Sequence, residues 1–188
     1  MRKLRKISVI FFAIIALPLS FWGQKTQYTT FPDMPIDENT KLVTYKKVVQ
    51  MRAAPSELYD RAYAWANKYY KNPTTVIKRA DKSSGELECV SNIPIYTLAK
   101  DGVTRTSAGY VYYTLTIEAR DNRYRYTITD IHKRESAQFP IEKWLDTSRP
   151  EWTAVRYDHL HQIDEAVKVL MQSIEEGMKP TKVVVDEW

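Results

Sequence analysis

One stretch of alternating residues, 110–131, constrains the fold of this 188-residue chain more than any other. If the chain reverses at Asp121-Asn122, apolar residues fall opposite apolar residues across two antiparallel strands, and polar residues fall opposite polar residues. The apolar pairs are Ala119 with Tyr124, Ile117 with Tyr126, and Leu115 with Ile128; the polar pairs are Glu118 with Arg125, Thr116 with Thr127, and Thr114 with Thr129. A slip of one residue would mix the two faces, so the register is strongly specified. The pattern predicts a hairpin with a type I′ turn at 121–122, one face on a core and the other toward water.

Two helices are predicted, one on each side of this hairpin. The first begins at residue 55 and ends at Asn72-Pro73, because proline disfavours helical geometry in the residue before it. The last begins near Ser148, whose spacing to Glu151 is that of a capping box, and runs to about residue 176. Apolar residues recur in both at helical spacing, so each helix has one face to bury.

The remaining segments complete an α+β pattern. Strands are predicted at 42–51, 74–82 and 86–92, Pro94 ends the last of these, and 133–147 is a long loop. The order is then β-α-β-β-β-β-α, a mostly antiparallel sheet of four or five strands with helices on one face. Residues 24–35 are polar with two prolines and are interpreted as a flexible tether, 36–188 as a single domain, and 183–185 as a short edge strand.

The first 23 residues have the pattern of a secretory signal peptide. Four cations, Arg2, Lys3, Arg5 and Lys6, precede an apolar run over 7–22. That run is shorter than the roughly 20 residues that a membrane span needs, so cleavage is favoured over a permanent anchor. The sequence therefore predicts an exported protein of the periplasm or outer envelope, cleaved after Gly23 or after Ser20.

The basic charge of the chain belongs largely to this leader. Without these four cations the chain keeps 24 Lys and Arg against 23 Asp and Glu, and the net charge falls from +5 to about +1. A nucleic-acid partner, which a strongly basic domain would suggest, is therefore not expected.

No motif for catalysis, metal or cofactor is visible. The single thiol, Cys89, has no disulfide partner and is interpreted as a buried apolar residue. His159 and His161, which lie two apart on a helix between Asp158 and Asp164, point in different directions and do not predict a metal site. The four glycines beyond residue 23 form no phosphate-binding loop, so no cofactor is predicted.

Three residues are candidates for binding. Tyr112 and Arg125 lie on the water-facing side of the predicted hairpin, and Trp144 lies in the long loop. Flat aromatic rings and a guanidinium group on exposed surfaces are typical of contacts to a protein, peptide or glycan. The alternative for Trp144 is a plug at the end of the core.

Two segments resemble a known bacterial family. Residues 56–87 (SELYDRAYAWANKYYKNPTTVIKRADKSSGEL) and 113–131 (YTLTIEARDNRYRYTITDI) are similar to domain of unknown function 4468, DUF4468. In that family a strand like KLVTYKKVV precedes the helix, and glycine stands where this hairpin has Asn122, which also accepts a positive φ. The resemblance covers about residues 36–176. It implies a TBP-like fold, a curved antiparallel sheet backed by helices, in a secreted envelope protein of Gram-negative bacteria, and it brings no catalytic or ligand residues.

Three functions are compatible with the sequence. The first is a non-catalytic envelope module that binds a protein, peptide or glycan through the polar sheet face and the Trp144 loop. The second is an envelope hydrolase whose site is assembled only by folding. The third is an assembly module that pairs through the edge strand at 183–185.

The signal peptide is testable by expressing the full chain in a Gram-negative host. The exported product should have a mass that corresponds to a start at Gln24 or at Phe21. Ile14→Arg, which places a charge in the apolar run, should block export and cleavage, whereas Ile14→Leu should not. An envelope product that keeps residues 1–23 would contradict the prediction.

Overall fold

The structure, a computed structural model, describes residues 26–135 and 137–180. In chain order the elements are β1 (Tyr45–Gln50), α1 (Pro55–Tyr69), α2 (Pro73–Val76), β2 (Ile77–Asp81), β3 (Glu86–Leu98), β4 (Arg105–Arg120), β5 (Arg123–Arg134), β6 (Gln138–Pro140), a 3₁₀ turn (Ile141–Trp144) and α3 (Val155–Gly177). The strands pair antiparallel in the order β1-β5-β4-β3-β2. The short β6 pairs with β5 beyond the end of β1.

The hairpin register that alternation predicts is confirmed. All six predicted pairs occur between β4 and β5, from Thr114 opposite Thr129 to Ala119 opposite Tyr124. The predicted type I′ turn is wrong, because that turn needs positive φ at both central residues and only Asn122 has it, at 57°. Residues outside the hairpin also stabilise the turn, since the Asn122 N–H donates to the Ala53 carbonyl and the Asn122 carbonyl accepts from the Met51 N–H.

Both long helices pack on one face of the sheet, and the α+β class is confirmed. The core between them and the sheet includes Leu115, Ile117 and Ile128, which are at most 1% exposed. Polar contacts fix α3 over the strands: the Tyr45 hydroxyl donates to Asp164 at 2.8 Å, and the Tyr126 hydroxyl donates to Glu175 at 2.6 Å. Cys89 is a buried free thiol within this core, as predicted.

The structure extends the predicted sheet at two places. The segment 133–147 is not a plain loop, because Gln138–Pro140 forms β6 and Ile141–Trp144 forms the 3₁₀ turn. Pro94 does not end β3, which continues to Leu98. Proline is tolerated there because β2 pairs with β3 only as far as Cys89, so Pro94 lies where β3 is an edge strand.

The helix ends also differ from the prediction. The first helix ends at Tyr69, and the proline at 73 starts the short α2 instead of following directly. The capping box at Ser148 is wrong, since α3 begins at Val155 after an N-cap without a side-chain hydrogen bond. The Ser148 hydroxyl donates to Asp146, and Glu151 pairs with Arg149.

The flexible tether predicted at 24–35 is packed against the domain where the structure describes it, from residue 26 onward. The buried Asp158 carboxylate of α3 accepts the N–H groups of Gln27 (2.8 Å) and Tyr28 (2.8 Å). Phe31 packs on Tyr157 with ring centroids 4.8 Å apart, and Met34 is buried. Backbone hydrogen bonds to a buried carboxylate hold this segment, which local composition does not reveal. The edge strand predicted at 183–185 lies outside the described residues.

A glycine between β2 and β3 provides a test of the fold. Gly85 has φ of +73°, and a Cβ atom there would lie 2.6 Å from the Ala119 carbonyl oxygen, part of a backbone that cannot easily move. Gly85→Ala should therefore lower the free energy of unfolding by about 1–3 kcal/mol in urea denaturation. The neighbouring exposed Ser84→Ala should stay within about 0.5 kcal/mol. Equal stability of the two variants would contradict the described turn.

Candidate functional site: the open sheet face

One face of the sheet is packed by helices, and the other, here called the open face, carries half-exposed polar side chains. Its centre is formed by residues that the β4–β5 register places side by side: Thr114, Thr116, Glu118, Arg125, Thr127 and Thr129. Each alternates along its strand with a core residue, so the pleat directs it away from α1 and α3. The long helices α1 and α3 lie on the opposite side, where the Tyr45 and Tyr126 hydroxyls bond α3 and the Trp65 indole joins α1 to α3.

Arg125 lies on the open face next to the hairpin turn. Its Nε donates to Glu118 at 2.7 Å, which is the cross-strand pair that the sequence predicts. Arg125 Nη2 lies 2.5 Å from the same carboxylate, and the Arg125 side chain remains 45% exposed, so part of its guanidinium stays accessible. The tyrosines beside it in the chain, Tyr124 and Tyr126, point into the core and are fully buried.

Tyr112 lies at the other end of the open face within a short stack of side chains. The His132 ring is parallel to it at 5.9 Å, and the Arg134 guanidinium lies 4.5 Å from the Tyr112 ring centre. This stack depends on a bulge in β5, where Asp130 takes a φ of 52° and shifts the register by one residue. The shift places His132 opposite Tyr112 and lets His132 Nδ1 donate to the Asp130 carbonyl at 2.8 Å.

The sequence predicts Tyr112 on this face but does not predict the two residues that contact its ring, His132 and Arg134. His132 and Arg134 would share its face only if the β5 register shifted after Thr129. A lone aspartate with positive φ carries little sequence signal for such a bulge. The stack is thus a product of the folded hairpin.

Trp144 is not brought together with Tyr112 and Arg125. It is 2% exposed and lies on the helix side of the sheet, 6.0 Å from the His159 ring of α3. The Arg156 guanidinium covers its face at 4.2 Å, and its carbonyl accepts the Trp152 indole N–H. In this position Trp144 fills the end of the core, the alternative that the sequence left open, and the loop that carries it packs against α3.

The histidines and aspartates of α3 are occupied by structural contacts. His161 Nε2 donates to the Thr30 carbonyl, and Asp164 accepts from the Tyr45 hydroxyl and from Lys168. Within the described residues, no group of three His, Cys, Asp or Glu side chains is arranged to hold a metal ion.

A cleft of about 180 Å³ beside the N-terminal segment contains the carboxylates that an enzyme hypothesis would use. It is lined by Tyr28, Arg105, Asp158 and Glu165, among others. The Asp158 carboxylate accepts hydrogen bonds from the backbone N–H groups of Gln27 and Tyr28, and Glu165 accepts one from the Tyr28 hydroxyl at 3.3 Å. These carboxylates therefore serve to dock the N-terminal segment.

His159 is buried next to Trp144 in an environment that opposes its charge. Burial, and after it the neighbouring cations Arg156 and Lys133, lower the pKa of the His159 imidazole from 6.5 to about 4. Its Nε2 lies 3.0 Å from the Thr97 hydroxyl, a contact that a neutral ring can make. The imidazole is thus neutral at physiological pH and acts as part of the core.

Comparison with known proteins identifies the fold. A family model described as "Domain of unknown function (DUF4468) with TBP-like fold" matches residues 45–134, from the start of β1 to the end of β5. The structure is similar to a TBP-like protein from Parabacteroides distasonis, at 16% identity and a TM-score of 0.57, over 79% of this chain and 99% of that chain. It is also similar to a DUF4468 family protein from Bacteroides ovatus, at 13% identity and a TM-score of 0.61, over 79% of this chain and 92% of that chain. At these identities the likeness shows the fold alone. No curated protein matches the chain.

Among the described residues, no helix is both long and apolar enough to cross a membrane.

The buried imidazole predicts an acid-sensitive fold. In the unfolded chain His159 binds its proton near pH 6.5, and in the folded chain only near pH 4, so protonation favours unfolding. Its contribution is fully present above about pH 6.5 and is lost as the pH falls toward 4, by roughly 3 kcal/mol in all. His159→Gln should flatten this part of the pH–stability curve in urea denaturation. A curve that His159→Gln does not change would contradict the assignment.

Proposed function

Residues 45–134 belong to the DUF4468 family, with its TBP-like fold, and we propose that this domain is a non-catalytic binding module of the bacterial cell envelope. It binds a protein, peptide or glycan on the open face. The chain is exported by its N-terminal signal peptide and acts in the periplasm or outer envelope of a Gram-negative bacterium.

The observation that carries this proposal is the two-sided sheet. The centre of β4 and β5 presents threonine hydroxyls and an ion pair to solvent on an ordered, pleated surface. Short hydroxyl side chains on a pleated surface lose little conformational entropy when they are contacted. They also donate and accept hydrogen bonds, which suits a polar partner.

The two ends of the open face supply groups that can orient a ligand. At one end Arg125 keeps part of its guanidinium exposed while Glu118 fixes its direction. At the other end the Tyr112 ring contacts the His132 ring and the Arg134 guanidinium. A side chain that is already ordered loses less conformational entropy on binding, so both groups are suited to serve as contact points.

Export is supported by the sequence alone. The charged residues 2–6 and the apolar run at 7–22 have the composition of a cleaved leader. A mature chain with a net charge of about +1 and one buried thiol is compatible with an oxidising compartment, because it has no pair of cysteines to cross-link.

The open face can be tested with a double variant, Tyr112→Ala with Arg125→Ala. The purified mature domain is titrated against two immobilised probes, detergent-solubilised envelope proteins and purified envelope polysaccharide. The wild type should bind one of them saturably, and the double variant should bind about tenfold or more weakly, because it loses both contact points. Arg105→Ala, which removes an exposed arginine away from the open face, should bind as the wild type does.

Two results would overturn the proposal: wild-type protein that binds neither probe, or a double variant that binds as well as Arg105→Ala. Each variant is first checked for an unchanged thermal midpoint. Trp144→Ala is unsuitable as a probe of binding, since loss of a buried indole destabilises the fold by about 3–5 kcal/mol and would mimic lost binding.

A further inference from the structure

The helix side of the molecule contains a second surface feature, separate from the open face. Two adjoining hollows lie along α1 and α3 and share the Tyr69 side chain; together they are called the helix groove. The first, about 590 Å³, is lined by Trp65, Lys68, Tyr69, Ser173, Glu176 and Gly177. The second, about 410 Å³, is lined by Tyr69, Lys71, Ser91, Asn92, Val169 and Leu170, with other residues beneath. Both volumes fall in the range of small-molecule sites.

Tyr69 forms an exposed aromatic platform between the two hollows. Its ring is 41% exposed and stacks on the Trp65 ring, with centroids 5.1 Å apart and planes 24° apart. The Tyr70 ring meets it edge-on at 5.0 Å. One face of the Tyr69 ring is therefore supported by the protein, and the ring still contributes to the walls of both hollows.

The support beneath this platform is rigid. Trp65 is only 6% exposed, and its Nε1 donates to the Ser173 hydroxyl at 3.1 Å. The α3 backbone approaches the indole so closely that a Cβ atom on Gly177 would lie 2.2 Å from Trp65 Cδ1. A platform ordered in advance lowers the entropic cost of holding a ligand.

Polar side chains flank the platform on both sides. Lys68 and Glu176 lie in the first hollow, and Lys71 and Ser91 in the second. Glu176 is already paired with Lys179 at 2.5 Å. Lys68 and Lys71 make no ion pair within residues 26–135 and 137–180, so the groove has an excess of positive charge. This favours an anionic ligand.

An added peptide strand is a poor fit for the groove. Beyond Cys89 the edge of β3 runs beside the second hollow, but Pro94 has no N–H to offer a new strand. Further along, the Gln162 side chain of α3 already bonds both backbone groups of Tyr96, at 2.9 and 2.8 Å. The edge is thus protected against strand addition.

We propose that the helix groove is a binding site for an acidic oligosaccharide, a chain of sugar rings that carry carboxylates. The apolar C–H face of a sugar ring packs on the flat Tyr69 ring, and its hydroxyls reach Ser173 and Glu176 on one side and Ser91 on the other. Lys68 and Lys71 pair with the carboxylates. The α3 residues that line the groove, from 166 to 177, extend for about 16 Å, which is room for more than one ring. This site does not depend on the open face.

The test is calorimetric titration of the mature domain with trigalacturonic acid, with maltotriose as the neutral comparison. We expect saturable binding of the acidic probe, at least about tenfold tighter than the neutral one and weakened by salt. Tyr69→Ala should weaken binding about tenfold or more. Tyr63→Ala is the matched control: it is 42% exposed on the same helix but stacks on Tyr59, and it should bind as the wild type does.

A second variant distinguishes a loss of binding from a loss of the fold. Val169 is 59% exposed at the rim of the second hollow, so Val169→Glu should leave the thermal midpoint unchanged and repel the acidic probe, again by about tenfold or more. Arg125→Ala on the open face should bind the probe normally, which separates this site from the proposed function. The proposal is overturned if the acidic probe does not bind, if maltotriose binds as tightly, or if Tyr63→Ala loses as much affinity as Tyr69→Ala.

Discussion

The pleat of the β4–β5 hairpin sends neighbouring side chains to opposite faces, and the rest of the molecule is arranged around that division. Leu115, Ile117 and Ile128 lie on the side that α1 and α3 bury, and the threonines between them remain on the other side. A slip of one residue would expose the apolar set and bury the threonines, at a large cost in free energy. The hairpin thereby determines where the helices dock and which face stays open to water.

The helices add a second constraint, which acts through hydrogen bonds at the ends of long side chains. Tyr45 and Tyr126 reach up from the sheet to carboxylates of α3, and Trp65 reaches across from α1 to Ser173. Each contact joins residues more than 45 positions apart in the chain. They hold α1 and α3 side by side, which creates the helix groove and leaves it on the opposite side of the sheet from the open face.

Predictions succeeded where a short-range pattern and burial agree. The strand pairs of the hairpin, the burial of Cys89 and the start of α1 at residue 55 all follow from spacing within one or two elements. The capping box predicted at Ser148 does not form, because the Ser148 hydroxyl donates to the nearby Asp146 carboxylate. The prediction of a flexible tether does not hold for residues 27 and 28, because the Asp158 carboxylate, some 130 residues away, binds their backbone N–H groups. Of the candidate binding residues, Tyr112 and Arg125 share the open face, whereas Trp144 is enclosed by α3.

By itself the sequence determined the α+β class, the hairpin register and the two-sided character of the sheet, since these depend on periodicities of two and 3.6 residues. The prediction of export also rests on the sequence alone, on the local composition of residues 1–23. Tertiary structure decided the stack around Tyr112, the burial of Trp144 and the shape of the helix groove. These depend on a backbone bulge and on contacts between distant elements, and no local pattern records which distant residue will complete a contact.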